Sequence, residues 1–169
     1  MSSPGQVAVV VGNPKPASRT LAAATLVARE LSGREPDLVV DLATVGAELL
    51  DWSSAEVSGL VDAVGKSDLV VVASPTYKGT YTGLLKLFLD RFAGGTGLTG
   101  LAVPLLLGGS WAHALAPELT LRPVLTELGA TVPGRGLYVI DKEHDDPEPY
   151  RPWLDATRPV VADLLGRRA

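Results

Sequence analysis

The sequence predicts a three-layer α/β sandwich around a five-stranded parallel sheet of order 2-1-3-4-5, and three observations lead there. Five short aliphatic runs, Val7–Val11, Leu38–Asp41, Leu69–Ala73, Leu101–Leu107 and Gly136–Ile140, recur along the whole chain. They are almost continuously apolar instead of alternating, as strands covered on both faces of a parallel sheet must be. Helical patterns separate them, so each connection is a right-handed crossover that brings the chain back to the same sheet. Five strands favour the order 2-1-3-4-5 over a six-stranded dinucleotide fold.

Each element has a local reason. After the first strand, Ser18 caps a helix running to Ser32, with Leu21, Ala24, Ala28 and Leu31 on one face and Gly33 as its stop. After the second, Ser53 and Glu56 form a capping box ahead of Val57, Leu60, Val61 and Val64. Leu84, Leu85, Phe88 and Phe92 mark a third helix, ended by Gly94–Gly95. Pro104 has no N–H to give a ladder, so it is expected near the start of the fourth strand. A fourth helix runs from Pro117 to Leu128, kinked at Pro123, and the last begins at either Pro152 or Pro159. With neither repeat nor low-complexity linker, residues 1–169 are expected to form one domain.

Composition removes several classes of function. A net charge of −4 leaves no electrostatic footprint for nucleic acid or an anionic membrane. The absence of cysteine excludes disulfides, zinc–thiolate sites, iron–sulfur clusters and thiol nucleophiles. No apolar run has the length of a membrane span, and Ser2–Gln6 lacks the basic character of a signal peptide. A cytoplasmic protein is expected.

In such a sheet ligands bind beyond the carboxyl ends of the strands, so the loops after strands one, three and four should converge. The first, Gly12–Thr20, has too few glycines for a Walker loop or a dinucleotide turn. It does end at the positive end of a helix, where Asn13, Lys15, Ser18, Arg19 and Thr20 would suit a phosphate monoester; a plain capped helix after a Pro-rich turn is the alternative. The third reads Ser-Pro-Thr-Tyr-Lys-Gly-Thr-Tyr-Thr-Gly, residues 74–83. Pro75 stiffens it, Thr76 and Thr80 bring hydroxyls, Gly79 and Gly83 permit close approach, and Tyr77 and Tyr81 are flat walls for a heteroaromatic ring or mere packing over a helix end. The fourth, Gly108–His113, offers Gly108 and Gly109 for close approach with Ser110 and His113 as polar edges.

Rival readings attach to the same residues. Gly-Gly-Ser-Trp-Ala is one residue from a nucleophile elbow, and Asp141 and His144 follow Ser110 in triad order, although three residues apart. That esterase reading leaves the first and third loops without a role. The run Lys142–Pro149 gathers carboxylates and a histidine without ligand spacing and reads as a solvated acidic loop. Trp52, Trp111 and Trp153 are expected to be packing residues, Trp111 at the border of the site.

Together, GNPKPASRT, SPTYKGTYTGLLKLFLDRF and GGSWAHALAPELTLRPVLTELGA resemble the NAD(P)H-dependent FMN reductase family of the flavodoxin-like fold. The resemblance is nearest to the reductase partners of two-component flavin monooxygenases such as the alkanesulfonate systems, and runs from Val7 to about Val139. The family usually opens its first loop with Gly-Ser-Pro-Arg; Asn13 and Lys15 stand here for the serine and arginine, and lysine lacks the planar bidentate contact of arginine. Some alkanesulfonate-type members carry an inserted tyrosine associated with a π-bulge at the subunit interface. The matching position is Leu119, so that feature is not carried over.

The resemblance implies an enzyme that moves a hydride from NADPH or NADH to FMN by positioning, with no catalytic acid or base. Amides of Thr76–Gly79 and Gly109–Ser110 would meet the isoalloxazine edge, the first loop would hold the phosphate, and Lys78 would reach the nicotinamide nucleotide. It further implies a homodimer or homotetramer and a monooxygenase partner. Two alternatives stay open: a reductase of quinones, azo dyes or metal oxyanions with resident FMN, and a flavodoxin-like electron carrier.

Overall fold

In the computed structural model, which describes residues 5–168, the five apolar runs pair as one parallel sheet in the order β2-β1-β3-β4-β5. Its strands are β1 (Val7–Val11), β2 (Leu38–Asp41), β3 (Leu69–Pro75), β4 (Leu101–Gly108) and β5 (Leu137–Ile140). Side chains of successive residues go to opposite faces. Val7, Val9, Val11, Val71 and Val103 therefore pack under α1 (Arg19–Ser32) and α6 (Arg151–Gly166), while Ala8, Val10, Val70, Val72 and Leu106 pack under α3 (Ala55–Gly65), α4 (Gly83–Leu89) and α5 (Arg122–Glu127). Two apolar layers enclosed by helices give the three-layer sandwich. A short α2 (Leu42–Val45), started by the Asp41 carboxylate, and a 3₁₀ turn at Gly46–Leu50 follow β2 and had no signal in the apolar pattern.

Several local expectations need correction. Pro104 lies in the middle of β4, opposite Val72, and not near its start. Neighbouring residues of a parallel strand direct their N–H groups to alternate sides, and the Ala102 N–H goes to Thr131 on the β5 side. Position 104 thus faces that side too, just before the β4–β5 ladder opens at Leu105↔Leu137, so the absent N–H leaves no partner orphaned. The cap of α3 is Ser54, whose hydroxyl accepts from Val57 N, because Ser53 is already committed through N–H and hydroxyl to Asp51 Oδ1.

The expected helix from Pro117 to Leu128 is a π turn over Pro117–Leu121 followed by α5. Pro123 cannot return the hydrogen bond that an α-helix would ask of it toward Leu119, and Arg122 N donates instead five residues back to Pro117 O. A π turn is therefore present at Leu119 without the tyrosine. The last helix starts at Arg151, one residue before Pro152, and runs through Pro159. Trp52 and Trp111 are both exposed, the former under the Arg91 guanidinium at 4.9 Å and the latter with its ring 5.9 Å from that of Tyr138, while Trp153 packs partly buried against the core.

One buried hydrogen-bond chain ties the ends of β1 and β3 to α4. Thr82 N donates to Ser74 Oγ (3.0 Å), Thr82 Oγ1 donates to Gly12 O (2.6 Å), and the same oxygen caps α4 by accepting from Leu85 N (3.1 Å). Thr82→Ala removes a cap worth about 1 kcal/mol and leaves a buried carbonyl unpaired at a further cost of about 1 kcal/mol. At about 2–4 °C per kcal/mol for a chain of this size, thermal melting should fall by about 4–8 °C, and Thr82→Ser should restore most of it. Among the described residues no helix is long and apolar enough to cross a membrane.

Candidate active site

β1 and β3 are neighbours whose connections leave in opposite directions, the topological switch at which open α/β sheets bind ligands. A cleft of about 490 Å³ opens there, between the first loop, the ends of β3 and β4, and Asp141 beyond β5.

The first loop is braced from within. Pro14 and Pro16 have no N–H, Lys15 N donates to Asn13 Oδ1 (2.9 Å), and Asn13 Nδ2 donates to Thr20 Oγ1 (3.0 Å). Ala17 sits in the left-handed region at φ 50, held by its N–H donating to Asp41 Oδ2 at 3.0 Å. Ser18 Oγ accepts from Leu21 N and so caps α1. The N–H groups of Ser18, Arg19 and Thr20 meet no acceptor among the described residues, which leaves the positive end of a 14-residue helix facing the cleft. Lys15 and Arg19 line the same side, and Arg19 Nη1 lies 2.6 Å from Asp141 Oδ2.

The third loop is a tight turn. Tyr77 and Thr80 exchange backbone hydrogen bonds, and Lys78 (φ 53) and Gly79 (φ 84) both occupy the left-handed region, as a type I′ turn requires. Thr76 N donates to Leu107 O at 2.7 Å and extends the sheet. Of the four amides from Thr76 to Gly79, the first two are thus spent on the protein, and those of Lys78 and Gly79 remain. The turn is moored to the π segment, since Thr80 Oγ1 donates to Thr120 Oγ1 (2.8 Å).

The fourth loop is set by Tyr138, on the edge strand β5. Its hydroxyl donates to Ser110 O at 2.7 Å, and burial pushes its pKa above the ordinary phenol value, so it stays a donor. A Cβ at Gly108 would collide with that hydroxyl, whereas one at Gly109 would stand in open space. The protein itself therefore requires glycine at 108 but not at 109, where the missing side chain keeps the cleft open. Thr76 Oγ1 lies close to the Tyr138 hydroxyl but outside hydrogen-bond geometry, and is buried without a partner among the described residues.

A family model described as NADPH-dependent FMN reductase matches residues 6–145. The chain belongs to that family. It is 31% identical to a Pseudomonas aeruginosa FMN reductase (NADPH), with 100% of this chain and 97% of that protein covered. It is 32% identical to the NADH-dependent FMN reductase SfnF of Pseudomonas fluorescens, covering 98% and 95% respectively. Among solved structures, the apo form of an NADH:FMN oxidoreductase (EMOB) superposes with a TM-score of 0.83 at 27% identity, over 94% of this chain and 89% of that one. The flavodoxin-like fold of the FMN reductases is thereby established for this chain.

The groups at the cleft suit an FMN reductase. The unsatisfied amides at the start of α1, the Ser18 hydroxyl, Lys15 and Arg19 are a donor set for a phosphate monoester. The orphaned Thr76 hydroxyl and the bare Gly109 backbone leave polar edge and room for a flat ring. Asn13, Lys15, Ser18, Arg19, Pro75, Thr76, Tyr77, Gly108 and Gly109 line the cleft as the loops predict. Thr20 is fully buried beneath it with its oxygen taken by Asn13. Lys78 and Gly79 form the turn tip; Ser110 and His113 stand in the next loop, with the His113 ring against Gly79.

Ala17, Leu107 and Asp141 also line the cleft, and Tyr138 stands behind it. A lone tyrosine inside an apolar strand was the signal for Tyr138, since its buried hydroxyl must find a partner. The esterase reading fails on geometry. The Asp141 carboxylate is on Arg19, and His144 Nδ1 meets the Asp141 carbonyl at 3.1 Å instead of its carboxylate. The acidic run Lys142–Pro149 forms no group that could hold a metal among the described residues.

Proposed function

We propose that this chain is an NAD(P)H:FMN oxidoreductase whose reduced FMN supplies a flavin-dependent monooxygenase. The observation that carries the reading is the cleft at the β1–β3 switch, where free N–H groups of a long helix lie beside Lys15 and Arg19. FMN, when bound, supplies the hydride-accepting ring; the protein supplies position and electrostatics. Ser18, Arg19, Lys15 and the α1 amides hold the phosphate. Asn13 braces the loop that carries them. The Lys78 and Gly79 amides and those of Gly109 and Ser110 serve the ring edge, Thr76 its floor, and Tyr77, half-exposed, its outer wall. Tyr138 positions the Gly108–Ser110 backbone and does not touch the ring.

The partner monooxygenase rests on the likeness of the three loops to the reductase components of two-component flavin monooxygenases; the SfnF relative is itself an NADH-dependent FMN reductase. Residues 1–169 acting as one domain, a cytoplasmic location and a homodimer or homotetramer are part of the same proposal. Exposed Trp111, Leu115 and Leu119 beside the π turn are apolar surface that self-association would cover.

Oxidation of NADH and of NADPH, each followed at 340 nm with and without FMN, tests the reading. Turnover is expected to depend on added FMN. FMN-independent oxidation of either nucleotide, or none at all, would overturn it; a stoichiometric resident flavin with quinone turnover would replace it by the resident-flavin alternative.

A further inference from the structure

We infer that Asp141 is a built-in competitor for the FMN phosphate, a residue that keeps flavin binding weak enough for FMN to exchange in each turnover. The inference rests on the FMN reductase reading and concerns this chain's own charges. Arg19 brings the guanidinium that lines the cleft, the group best shaped for a bidentate grip on phosphate, yet one of its nitrogens already meets a carboxylate at 2.6 Å. The backbone that carries that carboxylate is held in place. Asp141 follows the last residue of β5, its carbonyl meets His144 Nδ1 at 3.1 Å, and the His144 carbonyl in turn accepts from the buried Tyr150 hydroxyl at 2.7 Å.

The charge count at the seat points the same way. Lys15 and Arg19 bring two positive charges, and Asp141 and Asp41 bring two negative ones, the latter through its bond to Ala17 N. A dianionic phosphate therefore enters a seat whose side chains sum to zero, where only the α1 amides and hydroxyl favour it. It must share Arg19 with Asp141 or draw the guanidinium away. Either route lowers affinity for a phosphorylated flavin and leaves one without phosphate untouched. Asp141 is a positioning residue in this scheme: it acts on FMN through Arg19.

Asp141→Asn keeps the shape and removes the charge. Because the pair is substantially exposed, the fold should not depend on it, and melting should shift by no more than about 2–4 °C. In fluorescence-quenching titrations Asp141→Asn is expected to bind FMN about 3- to 10-fold more tightly, with the gap narrowing as salt rises. Riboflavin, which lacks the phosphate, is expected to bind parent and variant alike, and Asp141→Ser should behave as Asp141→Asn. Unchanged or weaker FMN binding in both variants, or equal tightening of riboflavin, would overturn the inference while leaving the reductase reading intact. A parent protein that binds neither flavin would overturn both.

Discussion

A Gly12→Ala protein should melt about 8–16 °C below its parent. Gly12 closes the β1–β3 ladder by donating its N–H to Ala73 O at 2.8 Å, and its carbonyl accepts from Thr82 Oγ1 at 2.6 Å. A Cβ there would strike the Leu85 Cβ and come within 3.0 Å of its Cα and 3.1 Å of its N. Leu85 is fully buried in α4, so the obstacle is helix backbone and not the free end of a side chain. Withdrawal of α4 would stretch the Thr82–Gly12 bond and open the chain that also holds Ser74. Overpacking costs about 1–3 kcal/mol and a broken buried hydrogen bond about 1–3 kcal/mol, so the sum is about 4 kcal/mol. Far-ultraviolet circular dichroism on heating measures it. Melting within about 2 °C of the parent would mean that α4 yields without cost, and that the first and third loops are less firmly registered than the hydrogen bonds imply.

The same rigidity explains what could be read from the residues. Strand positions were legible because a strand covered on both faces must be apolar throughout, and Val7–Val11 and Leu38–Asp41 begin and end where the pattern does. Ser18 and Gly33 were legible because a cap is a local transaction between a side chain and its own backbone, and Gly33 does take the left-handed conformation at φ 73. Ser53 misled for the same local reason: Asp51, two residues back, captures it first and passes the cap to Ser54. Pro104 depended on where β5 begins to pair, which no residue near 104 encodes.

The candidate site divides along the same line. Its three loops followed from strand order, and most of their marked residues do line one cleft. Which amides remain free did not follow, because Thr76 N is spent on Leu107, a contact made across the sheet. Residues 77–80 closing as a type I′ turn was hidden by Lys78, a residue that seldom takes positive φ. Asp141 was conspicuous only as a triad member; that its carboxylate would face Arg19, 122 positions away, comes from β5 lying at the edge of the sheet.

Arg19→Ala is expected to raise the FMN dissociation constant by about 30- to 100-fold while leaving riboflavin binding unchanged. A charge-assisted hydrogen bond to phosphate is worth about 1.5–3 kcal/mol, and about 1.4 kcal/mol is a factor of ten. The truncation also strips Asp141 of its partner and leaves a bare carboxylate at the phosphate seat, so the loss should lie above the lower end of that range. Arg19→Lys restores the charge but not the planar fork, and should recover only part of the affinity. The double variant Arg19→Ala/Asp141→Asn should recover part of it by a different route, by removing the repulsion instead of supplying attraction. Residues in direct contact are non-additive, so the two substitutions must show a coupling energy in a double-mutant cycle read by FMN titration. If Arg19→Ala bound FMN as the parent does, the phosphate would have to rest on Lys15 and the α1 amides, and Arg19 would be left as a surface partner of Asp141 alone.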